Sequence, residues 1–393
     1  MYIEFSIRNW KLLLFLVYPV FFIIQDYFSL LYLEKDKDNS LFRTFRCYLS
    51  FILSGILLLI YRINTKKKEE GRKESNLTEE TEEISENDLN QIELERQTIA
   101  SKNITKKIIF LLSLSIIGIV SIFLGDYFFR DDYSYEKSSV RTFFQITNFV
   151  FWSFFILKQK FYKHHFISYG CITILLIPIF IIFFPYMKTI PFACIYYGCS
   201  EFVFALYDVL IKKYMNLFYK NPYHIMPFSG AISIFLLLIY DISAYFINPS
   251  VSGIIIGFRE NITSIGEWFL FILDLILEFI WNLGIWLLIF YFTPCHYFIA
   301  DYISEFIYFI VKYFKEPDSF YSNRIKFFLM ICFSIIIFIF FLIFNEVIIL
   351  NFCGLDYNTR KRIIQREKKE NKSFQNISIS LRSSNIIDEE IDE

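Results

Sequence analysis

Residues 268–292, WFLFILDLILEFIWNLGIWLLIFYF, and residues 294–314, PCHYFIADYISEFIYFIVKYF, decide the fold. Each is about the length a helix needs to cross a hydrocarbon layer of about 30 Å at 1.5 Å per residue. Each also carries acids in its middle. In the first, Asp274, Glu278 and Asn282 stand at i, i+4 and i+8, so they form one polar stripe on an apolar helix. In the second, Asp301 and Glu305 stand at i and i+4, and Tyr308 and Lys312 continue their face. A carboxylate at a helix centre costs roughly 3 kcal/mol to insert, so each of these acids needs a reason to be there. A very short turn joins the two runs, which makes the helices antiparallel neighbours. Two acidic stripes facing each other would line a polar cavity or bind a proton or cation.

Working outward, eight further runs have the same character, near 10–33, 43–62, 107–129, 142–158, 166–185, 191–211, 226–247 and 325–351. The expected fold is an all-α membrane protein of ten transmembrane helices. The first run is too long for a signal-peptide core and lacks a small-residue cleavage site. Thr293-Pro294 suits a cap and first turn for the ninth helix, and Pro191 could start the sixth. Pro19, Pro178 and Pro185 are candidate kinks or helix ends. Composition agrees: 55% of residues are hydrophobic and mean hydropathy is +0.44, beyond a soluble domain. Phe and Tyr are so abundant, 50 and 27, that no single one is weighed heavily. A net charge of −1 argues for no nucleic-acid partner. The seven cysteines form neither a CxxC pair nor a secreted disulfide pattern, and read as small packing residues.

The connecting segments alternate in charge. Lys66, Lys67, Lys68, Lys106 and Lys107 fall on one side, as do Lys158, Lys160 and Lys163 with His164 and His165, then Lys212, Lys213 and Lys220, then Arg360, Lys361 and Arg362. Segments mixed with acids, such as 34–38, 130–132 and 315–318, fall on the other. The bias predicts cytosolic N- and C-termini. Asn261 of Asn261-Ile262-Thr263 is then a candidate glycosylation site on the lumenal or extracellular side. The sequons at Asn76, Asn103, Asn371 and Asn376 stay cytosolic. The expected organisation is helices 1–2 over 1–63, a disordered or partly helical cytosolic loop over 64–106, helices 3–5 over 107–190, helices 6–10 over 191–352 and a cytosolic disordered tail over 353–393.

Other intramembrane polar residues are Glu201 and Asp208 in the sixth helix, Asp241 in the seventh and Asn345-Glu346 in the tenth. Asp26 and Asp126 lie nearer helix ends and read as interface residues. Glu346 reads equally well as a helix-pairing residue. His296, one turn before Asp301, either shares its hydrogen bonds or sits at the membrane interface.

Ten helices with both ends cytosolic resembles the drug/metabolite transporter superfamily, which includes EamA-type carriers and nucleotide-sugar transporters. Residues 198–213, GCSEFVFALYDVLIKK, look like its sixth helix, and Phe292-Thr293-Pro294 like the opening of its ninth. Residues 345–355 with Asn358-Thr359 resemble the end of uncharacterised multi-pass protist proteins related to such carriers. The resemblance implies a duplicated five-helix unit with inverted topology, although helices 1–5 and 6–10 do not align convincingly in sequence and the loop after the second helix is longer than in compact members. It also implies transport of a small organic solute by alternating access, proton-coupled or by exchange, with Asp274, Glu278, Asn282, Asp301, Glu305, Glu201 and Asp208 as candidate substrate or coupling residues. A short fourth helix and the Pro-opened ninth correspond in the two halves.

No enzyme is expected. Tyr207-Asp208 and Leu124-Gly125-Asp126 resemble the two halves of an intramembrane aspartyl protease site, but in the wrong order and without its flanking residues. Four histidines, only two of them adjacent, are too few for a membrane desaturase, and no Gly-x-Ser-x-Gly elbow occurs. No cofactor, catalytic or metal-ligating set is therefore expected. A cation channel and a non-transporting membrane scaffold are the alternative functions. A homodimer stays open, as does the choice between plasma membrane and Golgi, ER or vacuole.

Overall fold

The computed structural model describes residues 3–5, 18–24, 40–75, 104–129, 135–183, 190–218, 220–247, 253–262, 264–315 and 324–350, with Thr359, Arg362, Ile363 and Arg366. Asp26, the loop beyond Ser75 and most of the tail lie outside them. The described chain is all-α apart from one pair of three-residue strands. Its helices are α1 over 18–24, α2 (Ser40–Ser75), α3 (Ile104–Phe129), α4 (Tyr135–Leu157), α5 (Lys163–Phe183), α6 (Ile190–Phe218), α7 (Pro222–Ile247), α8 (Gly253–Asn261), α9 (Ile265–Tyr291), α10 (Pro294–Lys315) and α11 (Arg324–Phe344). Strand β1 (Ile3–Phe5) pairs antiparallel with β2 (Ile348–Leu350), Glu4 opposite Ile349, so residues near the two ends of the chain meet at one end of the bundle.

Five stretches, Leu41–Asn64, Thr105–Leu124, Pro222–Ile247, Ile265–Tyr291 and Phe327–Phe344, are long and apolar enough to cross a bilayer, which marks an integral membrane protein. The packing is inside-out for a soluble fold. On α9 the buried face carries Asp274, Glu278 and Asn282, while Phe269, Ile272 and Ile276 are exposed. Such an apolar exterior suits lipid.

Small residues let the helices approach closely. On α7, Ser229, Gly230 and Ser233 are buried. A methyl on Gly230 would come 2.9 Å from the Tyr48 carbonyl oxygen of α2 and 2.8 Å from Phe51 Cβ. Ser115 of α3 donates a hydrogen bond to the Ser229 carbonyl at 3.2 Å.

The directions of several pairs follow from their contacts. Along α2, Tyr48 and Phe51 meet Gly230, Gly55 meets Pro227 and Tyr61 meets Tyr223, so α2 and α7 are antiparallel. Arg141 near Asp301 and Ser153 beside Cys295 make α4 and α10 antiparallel. His164 meets Glu346 and His165 meets Phe344, so α5 starts where α11 ends. In contrast, α2 and α9 are parallel: Phe42 meets Phe271, Arg46 meets Asp274 and Ser50 meets Asn282.

Helix boundaries differ from the sequence expectation in several places: α6 runs on to Phe218 rather than 211, and α8 was not expected. α2 continues past residue 62 to Ser75, because Lys, Glu and Arg there are good helix formers in water. The fourth helix is not short: it begins at Tyr135 and spans 23 residues. Its polar start at Arg141 and Gln145 is held by buried partners rather than excluded to the interface. The tenth predicted helix ends at Phe344, not at 351. Val347 N–H donates to Leu342 C=O at 2.9 Å and Glu346 N–H to Ile343 C=O at 3.1 Å, a Schellman ending. Glu346 has φ 57°, the left-handed position that glycine occupies at least cost.

Local capping explains several boundaries. Ser264 and Glu267 form a reciprocal capping box at the start of α9. Asp241 Oδ1 accepts from the Ile254 N–H at 3.2 Å and so caps α8. Lys212 Nζ donates to the Phe290 carbonyl at 2.8 Å, satisfying the C-terminal end of α9. Pro294 opens α10 and Pro191 lies in the first turn of α6, as expected, whereas Pro178 lies inside α5.

Candidate substrate and coupling site

The intramembrane acids fall into two clusters, each built around an arginine. In the first, Arg46 of α2 is 1% exposed and faces α9. Its Nη1 stands 2.7 Å from Asp274 Oδ2 and its Nε 3.3 Å from Glu278 Oε2. The charge of Arg43, one turn earlier, also acts on both acids. Asn282 continues the stripe, donating to Glu278 C=O at 2.9 Å and Ser50 Oγ at 3.4 Å. Counting the charge of the exposed Arg43, two guanidinium groups offset two carboxylates, and Arg46 ties α9 to α2.

The second cluster lies where α4, α6 and α10 meet α1 and α9. Arg141 Nε donates to Glu201 Oε1 at 2.7 Å, and Nη2 lies 3.9 Å from Asp301 Oδ2. Gln145, one turn along α4, donates from Nε2 to Asp301 Oδ2 at 3.0 Å. Tyr297, one turn before Asp301 on α10, reaches Oδ1 at 3.5 Å. A chain of donors leads on, from Trp281 Nε1 to Tyr18 Oη at 2.9 Å and from Tyr18 Oη to Tyr297 Oη at 3.3 Å. Asp208, two turns beyond Glu201 on α6, is 1% exposed. It lies close enough to Glu201 and Asp301 for their charges to act on it. Its Oδ2, like Glu201 Oε2, is buried with no hydrogen-bond partner.

Charge counting separates the two clusters. Among the described residues, Glu201, Asp208 and Asp301 are three buried carboxylates around one guanidinium. A buried ion without a counter-charge costs several kcal/mol, so this cluster has a place for positive charge, either a proton or a cationic group.

Asp274, Glu278 and Asn282 form the first cluster, and Glu201, Asp208 and Asp301 the second. The two stripes expected to face each other instead turn to different partners, α2 and α4. Glu305 follows Asp301 by one turn on α10, Asp126 lies in α3 and Asn261 ends α8; these three side chains lie outside the described residues. His296 is bonded to Thr293 Oγ1 at 2.9 Å at the start of α10. The sequence reading missed Arg46, Arg141, Gln145, Tyr18, Trp281 and Tyr297. Arg46 falls inside a predicted span and Arg141 one residue before another. A cation there is as costly as the acids, and matching cations to acids would have found both.

A third cluster lies at the bundle end where residues near the chain ends meet. His164 Nε2 is 3.1 Å from Glu346 Oε1, and one donor atom each from His164, His165 and Glu346 lies within 4.8 Å of the others.

No protein-family model matches the chain, and no curated protein matches it in sequence. The class that fold and composition define is an integral membrane protein with an apolar exterior and buried ionic clusters.

Proposed function

We propose that the chain is a secondary carrier that moves a small organic solute by alternating access, with ten spans arranged as two inverted five-helix repeats. The observation that carries this reading is the charge-unbalanced cluster of Glu201, Asp208 and Asp301 around Arg141, buried between α4, α6 and α10. Packing order supports the repeats. Counting spans in chain order, with α9, α10 and α11 as the eighth, ninth and tenth, span 2 packs on 7, 4 on 9 and 5 on 10, each antiparallel. Five further contacts have a counterpart: 3 on 6 with 8 on 1, 3 on 7 with 8 on 2, 4 on 6 with 9 on 1, 2 on 3 with 7 on 8, and 4 on 5 with 9 on 10; 8 on 9, 8 on 6 and 9 on 6 have none of similar extent among the described residues. An odd number of spans per repeat reverses the second unit in the membrane, which is why equivalent helices meet antiparallel. The β1–β2 pairing supports an even number of spans, since both strands lie at one end of the bundle.

The unbalanced cluster draws on spans 1, 4, 6 and 9, two equivalent pairs, so it lies at the repeat interface, where inverted-repeat carriers hold their cargo. Rocking one repeat against the other would open it to each side in turn. A proton or a cationic group of the solute would neutralise Asp208 during the cycle. The balanced Arg46 cluster has no such vacancy and serves as a structural tie.

Purified protein in proteoliposomes, offered nucleotide-sugars, amino acids and organic cations with a pH dye inside, tests the reading. A carrier gives saturable uptake that unlabelled solute on the far side accelerates. Conductance without such acceleration would indicate the channel, and no flux with any solute the scaffold.

A further inference from the structure

We propose that His164, His165 and Glu346 bind a divalent transition-metal ion, zinc in the first place, that clasps the start of α5 to the end of α11. This site is separate from both arginine clusters and does not depend on the carrier reading. Two imidazoles and one carboxylate are the donor set that zinc accepts in four-coordinate sites. One donor atom from each already lies within 4.8 Å of the others, and His164 Nε2 and Glu346 Oε1 are 3.1 Å apart. Zinc with bonds of about 2.1 Å holds tetrahedral ligand atoms roughly 3.4 Å apart, so rotamer adjustments of the remaining donor complete the geometry. Both histidines are buried, and their rings sit with centroids 4.0 Å apart.

The backbone supplies the independent observation. Glu346 occupies the left-handed position of the Schellman ending, φ 57°, where glycine is the usual and less strained residue. That conformation directs the carboxylate to His164 across a separation of 182 residues in sequence. The strain of a side chain at that position is offset if its carboxylate ligates an ion. His165 Nδ1 accepts from the Tyr162 N–H at 3.1 Å. Metal ligation through either ring nitrogen replaces that single neutral hydrogen bond with a stronger bond to the ion.

The test uses full-length protein in detergent, stripped with a chelator and titrated with zinc chloride or cobalt chloride. Binding is followed by thermal stability and by the visible absorption of cobalt. The expected result is saturation at one ion per chain, a raised melting temperature and a cobalt spectrum of four-coordinate nitrogen–oxygen ligation. His164→Ala and Glu346→Gln should weaken binding by more than about tenfold. Glu346→Gly relieves the left-handed strain and so should fold as well as the wild type without metal, yet gain nothing from zinc. His224→Ala and His296→Ala should bind as the wild type does. Absence of any zinc-dependent shift in the wild type, or binding unchanged in Glu346→Gly, overturns the proposal.

Discussion

Arg46 and Arg141 do different work although both meet two acids inside the bundle. Arg46, with the charge of Arg43 nearby, balances Asp274 and Glu278, and removing it leaves two buried carboxylates without an ion-pair partner. Arg46→Met should destabilise the protein by about 3–5 kcal/mol, read as a lowered melting temperature in detergent. Replacing Asp274 and Glu278 by Leu and Met in the same chain should restore most of that loss, because an apolar trio of similar volume needs no counter-charge. Asp208 is the opposite case. Its Oδ2 has no hydrogen-bond partner, so Asp208→Asn removes no described hydrogen bond and should change stability by less than about 1 kcal/mol, while abolishing flux. The acids were legible in the sequence because a carboxylate in an apolar run stands out. Their grouping was not, because i, i+4 spacing gives a face of one helix and says nothing of which helix covers it. Arg141 lies 60 residues from Glu201, and only the packing of α4 on α6 and α10 brings Glu201 and Asp301 to one guanidinium.

At the scale of elements, apolar run length gave the long helices to within a few residues, since bilayer thickness sets that length. It failed where something other than lipid decides: the charged continuation of α2, the basic end of α6 past Lys212 and Lys213, the polar start of α4 and the Schellman ending of α11. The interhelical seams were illegible, because a glycine in a hydrophobic run reads alike whether it faces lipid or a neighbour. Gly230 and Gly170 make the contrast measurable. Gly230→Ala would drive a methyl to 2.9 Å from the α2 backbone and should cost about 1–3 kcal/mol. Gly170→Ala meets nothing within 4 Å and should be neutral or stabilising by up to about 1 kcal/mol. Thermal unfolding of the two variants side by side checks the assignment, and equal losses would contradict the α2–α7 seam.

Across the whole molecule, α2 and α7 run antiparallel, as the proposed inverted repeats require. A Cβ on Gly55 would lie 3.7 Å from Pro227 Cβ, close to the spacing of about 3.8 Å in disulfides. In a background with the native cysteines replaced, Gly55→Cys with Pro227→Cys should cross-link on mild oxidation, visible as a mobility shift that reductant reverses. The packing order that supports the proposed repeats was illegible in the sequence, because an apolar run does not say which helix it packs against. The most direct test of the central claim, that the unbalanced cluster is the transport site and the balanced one a tie, is solute flux in proteoliposomes. It compares the wild type, Asp208→Asn and the chain carrying Arg46→Met, Asp274→Leu and Glu278→Met, each shown to be folded. Flux kept in the triple variant and lost in Asp208→Asn is the predicted result. Flux undiminished in Asp208→Asn, or lost only in the triple variant, would contradict it.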